Sequence, residues 1–197
     1  MALEKNTFVV GVNACTVYPI TVDTVTTYTV GTGINIPIKS FSYDYDISET
    51  ELKANEITLD VFTKIEKLTF DIDYAKMDLD LMSALLGGNT AASGTTPNQI
   101  QKYGLKFDKI DKYVQIAVKI DYVDKTGTKI NDVHIHIMKA KISGNSFSSS
   151  TGAYGELKLK GTGVNTVHPF VNGSVTEEKG LYIALEETAT ALSAITA

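Results

Sequence analysis

The sequence predicts a mainly β protein, an antiparallel β-sandwich or barrel with one short α-helix, a long hairpin loop and extended terminal arms. Several stretches alternate apolar and polar residues with the two-residue period of a half-buried strand, as in Phe41–Ser48 (FSYDYDIS). Clusters of Gly, Asn, Asp and Pro separate these stretches. One segment, about residues 79–86, has helical spacing between an aspartate suited to N-capping and a glycine.

The N-terminal part, 7–40, is rich in Thr, Val and Ile and is expected to form strands and extended arms. Alternation then runs through Phe41–Ser48 and resumes at Ile57. The polar stretch between them, Glu49–Glu56 (ETELKANE), is interpreted as a long connection. The result is a long hairpin whose tip is the loop Ser48–Asn55.

The stretch Lys67–Gly88 changes from strand to helix. Its first half alternates Phe70, Ile72 and Tyr74 with polar residues, and its second half groups leucines before two glycines. We expect Asp78 or Asp80 to cap the helix and the three alternating apolar side chains to pack against it.

Further strands are expected downstream, with a turn at DKTG and polar loops between them. Three regions follow: an N-terminal arm with the first strands (1–37), a β domain (38–165) and a C-terminal arm (166–197). The predicted downstream elements are a surface loop at 89–98, a strand at 112–122, a turn at 124–127, a strand through Ile137, a flexible loop at 144–155 and a strand at 156–163.

Composition excludes some classes of function. The 197 residues include 18 basic residues, all lysine, and 23 acidic residues, for a net charge of −5. Without arginine, the preferred fork for phosphates and bases, a sequence-reading nucleic-acid binder is not expected. Cys15 is the one cysteine, so no intrachain disulfide can form. The N-terminal stretch has neither a basic leader nor a long apolar run, so synthesis and folding in a cytoplasm are expected.

Charge is distributed unevenly along the chain. Residues 1–88 carry a net charge of −7, residues 89–162 carry +5 and residues 163–197 carry −3. Acidic and basic strands could pair inside one domain. Alternatively, patches of opposite charge could meet between subunits.

No motif indicates catalysis, so an enzyme is not expected. Asp71 and Asp73 have Cα atoms roughly 7 Å apart on one strand face, a spacing that a glycosidase could use. Asp44 and Asp46 repeat the pattern, however, and the chain has no tryptophan for a sugar platform, so a solvated face is favoured.

The histidines do not indicate a metal site strongly either. His134 and His136 share a strand face, but zinc needs a third and usually a fourth ligand, and Cys15 offers little. A polar strand face is the favoured interpretation. We therefore predict no catalytic residue, no metal and no cofactor.

The run from Phe41 to Gly88, together with the order of the strands that follow, resembles the tail tube (major tail) proteins of long-tailed bacteriophages. The resemblance covers about residues 38–165 and includes a short helix of the pattern Asp78, Leu81, Leu85 or Leu86, Gly87. It implies a structural subunit in which six copies form a ring, strands from each copy join in an inner β-barrel, and rings stack into a hollow tube. Closing a sheet across subunits would also remove exposed strand edges.

The resemblance also implies a location and partners. The location is the virion tail, which is assembled in the host cytoplasm. The partners are other copies of the chain and tape-measure and tail-terminator or tail-tip proteins. DNA passes through the tube without specific binding. No membrane contact is implied.

Two sets of residues follow as hypotheses. An acidic lumen would repel DNA phosphates over about 8 Å at physiological salt. It is assigned to Asp71 and Asp73, with Asp44 and Asp46 as second choices. The acidic-wall hypothesis fails if Asp71 and Asp73 face outward or pair with lysines of the same subunit. Contact with the next ring is assigned to the hairpin loop residues Ser48, Glu49, Glu51, Lys53 and Asn55.

A second interpretation is another self-assembling or adhesive β-sandwich module, such as a capsid decoration or surface protein. A tube subunit would form rings and filaments, whereas an adhesin would stay monomeric and need a ligand.

Overall fold

The fold is given by a computed structural model that describes residues 7–54, 57–75, 77–106, 112–149, 151, 156–172, 175–178, 180–186 and 192–196. Antiparallel strands dominate these residues, and the mainly β class with one short helix is confirmed. The strands are β1 (Thr7–Asp23), β2 (Tyr28–Val30), β3 (Ile34–Ile36), β4 (Ile38–Ala54), β5 (Ile57–Tyr74), β6 (Asn89–Ser93), β7 (Ile100–Gly104), β8 (Val114–Asp124), β9 (Lys129–Ser148), β10 (Glu156–Gly163), β11 (Phe170–Asn172), β12 (Val175–Glu178) and β13 (Leu181–Glu186), and the helix α1 is Leu79–Leu86.

The long strand β9 connects two groups of strands in the main sheet. Its first half pairs with β8 on one edge and with β13 on the other. Its second half pairs with β10, which leads to β5 and then β4. Strand β8 continues to β1, whose other edge carries β2 and β3. Because both groups contribute to one apolar core, the sheet folds over on itself in the manner of a sandwich.

The predicted alternation in β5 is confirmed by burial. Phe70, Ile72 and Tyr74 lie in the core, whereas Asp71 is exposed. Phe70, Ile72 and Tyr74 belong to the same core as Leu81 and Leu85 of the helix. The core contains Cys15, Val17, Ile36, Leu68, Phe70, Ile72, Tyr74, Leu81, Leu85, Val114, Ile116, Val118, Ile135, Ile137, Ala140, Ile142, Leu157 and Leu159.

Helix α1 begins and ends as predicted, and Asp78 rather than Asp80 is its N-cap. The Asp78 carboxylate accepts the backbone N–H groups of Asp80 (2.9 Å) and Leu81 (3.1 Å), which satisfies two donors of the first turn. Gly87 ends the helix with a φ of 79°, a conformation that glycine adopts readily.

Two predicted loops contain strands instead. Asn89–Ser93 forms β6, an exposed strand paired with β7, and β9 continues to Ser148 through the segment predicted to be flexible from Gly144. Both segments are rich in Ser, Thr, Asn and Gly, which favour turns in isolation, and the neighbouring strand overrides this preference. Residues 150 and 152–155 of that predicted loop lie outside the described residues.

The two segments predicted as arms contribute to the main sheet. Strand β1 pairs with β8 from Thr7 to Pro19, and β13 pairs with β9 over its whole length. The segment after β10 is also fixed to β1, because the Asp23 carboxylate accepts the backbone N–H groups of Val167 (2.9 Å) and His168 (3.0 Å). Lys139 pairs with Asp23 at 2.6 Å.

Gly161 is buried in β10 against the Phe70 ring, and Gly161→Ala is expected to destabilise the fold. A Cβ there would collide with the Phe70 ring and lie 2.9 Å from the Lys141 carbonyl oxygen. Overpacking of this kind costs about 1–3 kcal/mol, so urea unfolding should show a loss in that range. Gly144→Ala, across the ladder, is the matched control, since its Cβ would meet only the Lys160 Cβ at 3.9 Å. Equal losses in the two variants would contradict the close approach.

Candidate assembly surfaces

The hairpin of β4 and β5 extends far beyond the core as a two-stranded ladder, which we call the arm (Tyr45–Ala54 and Ile57–Lys67). The strands remain paired to Ala54 and Ile57. Of residues 45–52 and 60–67, all are exposed except Ser48, which is half-buried. A two-stranded ladder is marginally stable on its own in water. A neighbouring surface would therefore stabilise the arm.

The hairpin loop predicted at Ser48–Asn55 is wrong over most of its length, because strand β4 continues to Ala54. Ser48, Glu49, Glu51 and Lys53 lie in β4, and Asn55 lies outside the described residues. The prediction missed a period of two in this stretch, where Glu49, Glu51 and Lys53 alternate with Thr50, Leu52 and Ala54.

Large apolar side chains are exposed on both faces of the arm. Directly opposite residues of an antiparallel pair project from the same face. The inner face, continuous with the core, carries Ile47 opposite Ile65 and Glu51 opposite Val61. The outer face carries Thr50 opposite Phe62 and Leu52 opposite Asp60. The exposed fractions are 51% for Ile47, 54% for Leu52, 46% for Val61, 61% for Phe62 and 58% for Ile65.

A groove lies at the root of the arm, beneath its inner face. It has a volume of about 610 Å³ and is bounded by the arm, by the end of β10 and by the start of β13. Leu68 and Ile137 are buried, whereas Tyr45, Ile65 and Val164 are exposed. The groove is therefore an open, partly apolar surface that adjoins the exposed inner face.

The four acids assigned to the lumen share the outward face of β4 and β5, but lysines accompany them. Lys160 lies opposite Asp71 and its Nζ is 3.4 Å from the Asp71 carboxylate. Lys158 lies opposite Asp73, and Ser40 donates a hydrogen bond to that carboxylate (2.8 Å). This is the arrangement that counts against a purely acidic wall.

The second-choice acids lie further along the same face. Asp44 and Asp46 are exposed, with Thr69 opposite Asp44 and Lys67 opposite Asp46. The face thus presents rows of mixed charge. It is a solvated strand face.

A buried polar layer lies on the side of β8 and β9 that faces away from the core. The Asp132 carboxylate is fully buried between the Nζ atoms of Lys119 (2.7 Å) and Lys129 (2.6 Å). Lys129 also reaches Asp121 (2.7 Å), which accepts a hydrogen bond from the Asn13 side chain (2.9 Å). These contacts join the strands β1, β8 and β9.

The chain's C-terminal segment lies over this layer. The Gln115 side chain, fully buried, donates to the Ile195 carbonyl (3.1 Å) and accepts from the Ile195 N–H (3.0 Å). The Tyr18 hydroxyl donates to the Leu192 carbonyl (3.3 Å). Both contacts are made to backbone atoms, so the segment is held irrespective of its side chains.

His134 and His136 belong to the same layer and are buried, with 5% and 4% of their surface exposed. Within the described residues, no group of three or more His, Cys, Asp or Glu side chains is arranged to hold a metal ion.

Acid is expected to destabilise the fold through His136. Burial, with a smaller contribution from His134, lowers the pKa of His136 to about 4. An unfolded chain binds this proton near pH 6.5, so stability falls between pH 6.5 and 4, by up to about 3 kcal/mol. The free energy of unfolding of His136→Gln, measured across this interval, should decline less steeply than that of the wild type. If the free energy of unfolding fell equally steeply with pH in the two proteins, the burial of a neutral His136 would be contradicted.

Sequence reasoning missed the apolar residues of the arm. A signal was present, because Val61 and Phe62 are adjacent and therefore place large apolar side chains on opposite faces of one strand. A strand that is apolar on both faces is buried on both faces or meets a partner.

Comparison with known proteins identifies no family. No family model matches the chain, and no curated protein matches it significantly. No helix in the described part of the chain is long and apolar enough to cross a membrane.

Proposed function

We propose that this protein is a self-assembling structural subunit of a phage tail tube, whose copies form rings that stack into a hollow tube. The observation that carries the proposal is the arm, which exposes Phe62 and Leu52 on one face and Ile47, Val61 and Ile65 on the other. Large apolar side chains that are exposed close together on one element are typical of sites of association.

The resemblance of residues 38–165 to tail tube proteins supports the same class. That resemblance implies rings of six, an inner β-barrel and association with tape-measure and tail-end proteins. The two-faced arm adds a reason for continued assembly, since each face would be covered by a different neighbour.

The proposal does not depend on an acidic channel wall. Asp71 pairs with Lys160, so a wall that included this face would present acids and lysines together. Passage of DNA would then follow from the absence of a uniformly basic surface rather than from repulsion by these four acids.

Sedimentation velocity over a concentration series tests the proposal. A tube subunit passes from single copies to discrete, much larger species as concentration rises, without any added ligand. A protein that sediments as a single copy at every concentration would overturn the proposal and favour the adhesive module.

A further inference from the structure

We propose that the C-terminal residues 192–196 form a releasable strap whose docking controls the order of the groove rim. We define the rim as residues 164–168, the first two of which line the groove at the root of the arm. The strap and the rim are connected through the buried side chains of Gln115 and Tyr28. This is a conformational device within one chain, so it goes beyond self-assembly and does not depend on it.

The strap is held lightly compared with the sheet beneath it. Among the described residues, its hydrogen bonds are the two from Gln115 to the backbone of Ile195 and the one from Tyr18 to the Leu192 carbonyl. No side chain of residues 192–196 is fully buried. Segments with few buried apolar contacts open at a lower free energy than the core strands. The strap can therefore leave while the sheet stays folded.

Release of the strap would be felt first at Tyr28. The Gln115 Nε2 atom donates both to the Ile195 carbonyl oxygen (3.1 Å) and to the Tyr28 hydroxyl (3.3 Å), and both side chains are fully buried. Without the strap, the Gln115 amide loses a donor and an acceptor, and a buried polar group without partners is costly. The amide then turns toward water, or water enters beside it, and either change weakens its bond to Tyr28.

The Tyr28 hydroxyl reaches the groove through β9. It donates a hydrogen bond to the Met138 carbonyl oxygen. The Met138 N–H donates to the Gly180 carbonyl (2.9 Å), and the carbonyl of the next residue, Lys139, accepts the Val164 N–H (2.8 Å). Gly180 and Val164 both line the groove. The backbone that Tyr28 holds is thus the backbone to which the groove lining is attached.

The Tyr28 ring reaches the other end of the rim by aromatic packing. It meets Phe170 edge to face, with ring centroids 4.9 Å apart, and Phe170 meets His168 in the same way at 5.1 Å. The Asp23 carboxylate, whose side chain is 7% exposed, accepts the backbone N–H groups of Val167 (2.9 Å) and His168 (3.0 Å). These two amide protons therefore report whether the rim is in place.

Hydrogen exchange of the Val167 and His168 amides tests the device. Ile195→Pro removes the N–H group that the Gln115 side chain accepts, and so weakens the strap. Exchange at both amides should become roughly tenfold faster than in the wild type. The measurement is made on the whole chain by mass spectrometry with single-residue resolution, at a concentration where single copies predominate.

The chain offers an internal control and a control variant. The Thr126 and Thr128 N–H groups also donate to a carboxylate, that of Asp124 (2.8 and 2.9 Å), but they lie in the turn between β8 and β9. Their exchange should not change. Ser193→Pro places the same ring in the strap and keeps the Ile195 N–H, so its effect at the rim should be much smaller.

A third variant tests the route through Tyr28. Tyr28→Phe removes the hydroxyl that links Gln115 to the rim, so adding Ile195→Pro to it should accelerate exchange at Val167 and His168 by less than about twofold. Unchanged exchange in the Ile195→Pro single variant, equal acceleration at the turn amides, or full acceleration in the Tyr28→Phe background would each overturn the device. Self-assembly is measured separately by sedimentation, so either proposal can fail without the other.

Discussion

The double variant Leu52→Asp, Phe62→Asp is expected to remain folded and to lose self-association. Both side chains are more than half exposed, so the core does not depend on them. Burying their exposed surface in a neighbour would contribute roughly 1–2 kcal/mol each, and a buried carboxylate adds a desolvation cost. The concentration for half-assembly, measured by light scattering, should rise at least about a hundredfold.

The double variant Val25→Asp, Ile100→Asp is the matched control. Val25 is 68% exposed and Ile100 is 56% exposed, neither lies on the arm, and the change in net charge is the same. Its threshold should stay close to that of the wild type. Equal loss of assembly in both double variants would attribute the effect to charge and contradict the role of the arm. Urea unfolding should show both variants within about 1 kcal/mol of the wild type.

Asp132→Asn is expected to destabilise the fold by roughly 3 kcal/mol at pH 7. The Asp132 carboxylate is fully buried between Lys119 and Lys129, and the Lys119 side chain is only 13% exposed. After the substitution Lys119 keeps the cost of its burial but loses this carboxylate. Urea unfolding measures the loss as a lower midpoint, and the slope of the unfolding free energy against urea concentration should be the same in both proteins.

Asp121→Asn provides the control for this ion pair. Asp121 also contacts Lys129 (2.7 Å), but its side chain is 31% exposed. Partly exposed pairs contribute about 0–1 kcal/mol, so the loss should be correspondingly small. A loss as large as that of Asp132→Asn would show that burial does not set the difference.

The effect of Asp132 should depend on pH with a defined sign. Burial acts to raise the pKa of Asp132, but the hydrogen bonds and charges of Lys119 and Lys129 outweigh it and hold the pKa below its ordinary value. The folded state therefore binds this proton less readily than the unfolded state. The stabilisation is full above the ordinary pKa of about 4 and is lost as the pH falls through the folded pKa. The difference in free energy of unfolding between the wild type and Asp132→Asn should therefore shrink in acid. A difference that grew as the pH fell would contradict this assignment.

Local patterns predicted the class of fold and the helix. The alternation of Phe70, Ile72 and Tyr74 identified the buried face of β5, and Asp78 with Gly87 marked the ends of the helix. These features depend on residues close in sequence, where strand period and capping chemistry act directly.

Features that depend on distant pairing were not predictable in the same way. The continuation of β9 through Gly144–Ser148 depends on β10, and the pairing of Asp71 depends on Lys160, 89 positions away. The charged residues of Glu49–Glu56 favour a loop when the sequence is considered alone, because they obscure the alternation of Thr50 and Leu52. Its exposure on both faces becomes evident only when the extent of the core is known.

Negative-stain electron microscopy of the purified wild type, over a series of concentrations and beside the Leu52→Asp, Phe62→Asp variant, tests the central claim most directly. Self-assembly through the arm predicts hollow rings or tubes of uniform diameter for the wild type and single particles for the variant. Wild-type particles that stay the size of one subunit at every concentration would contradict it.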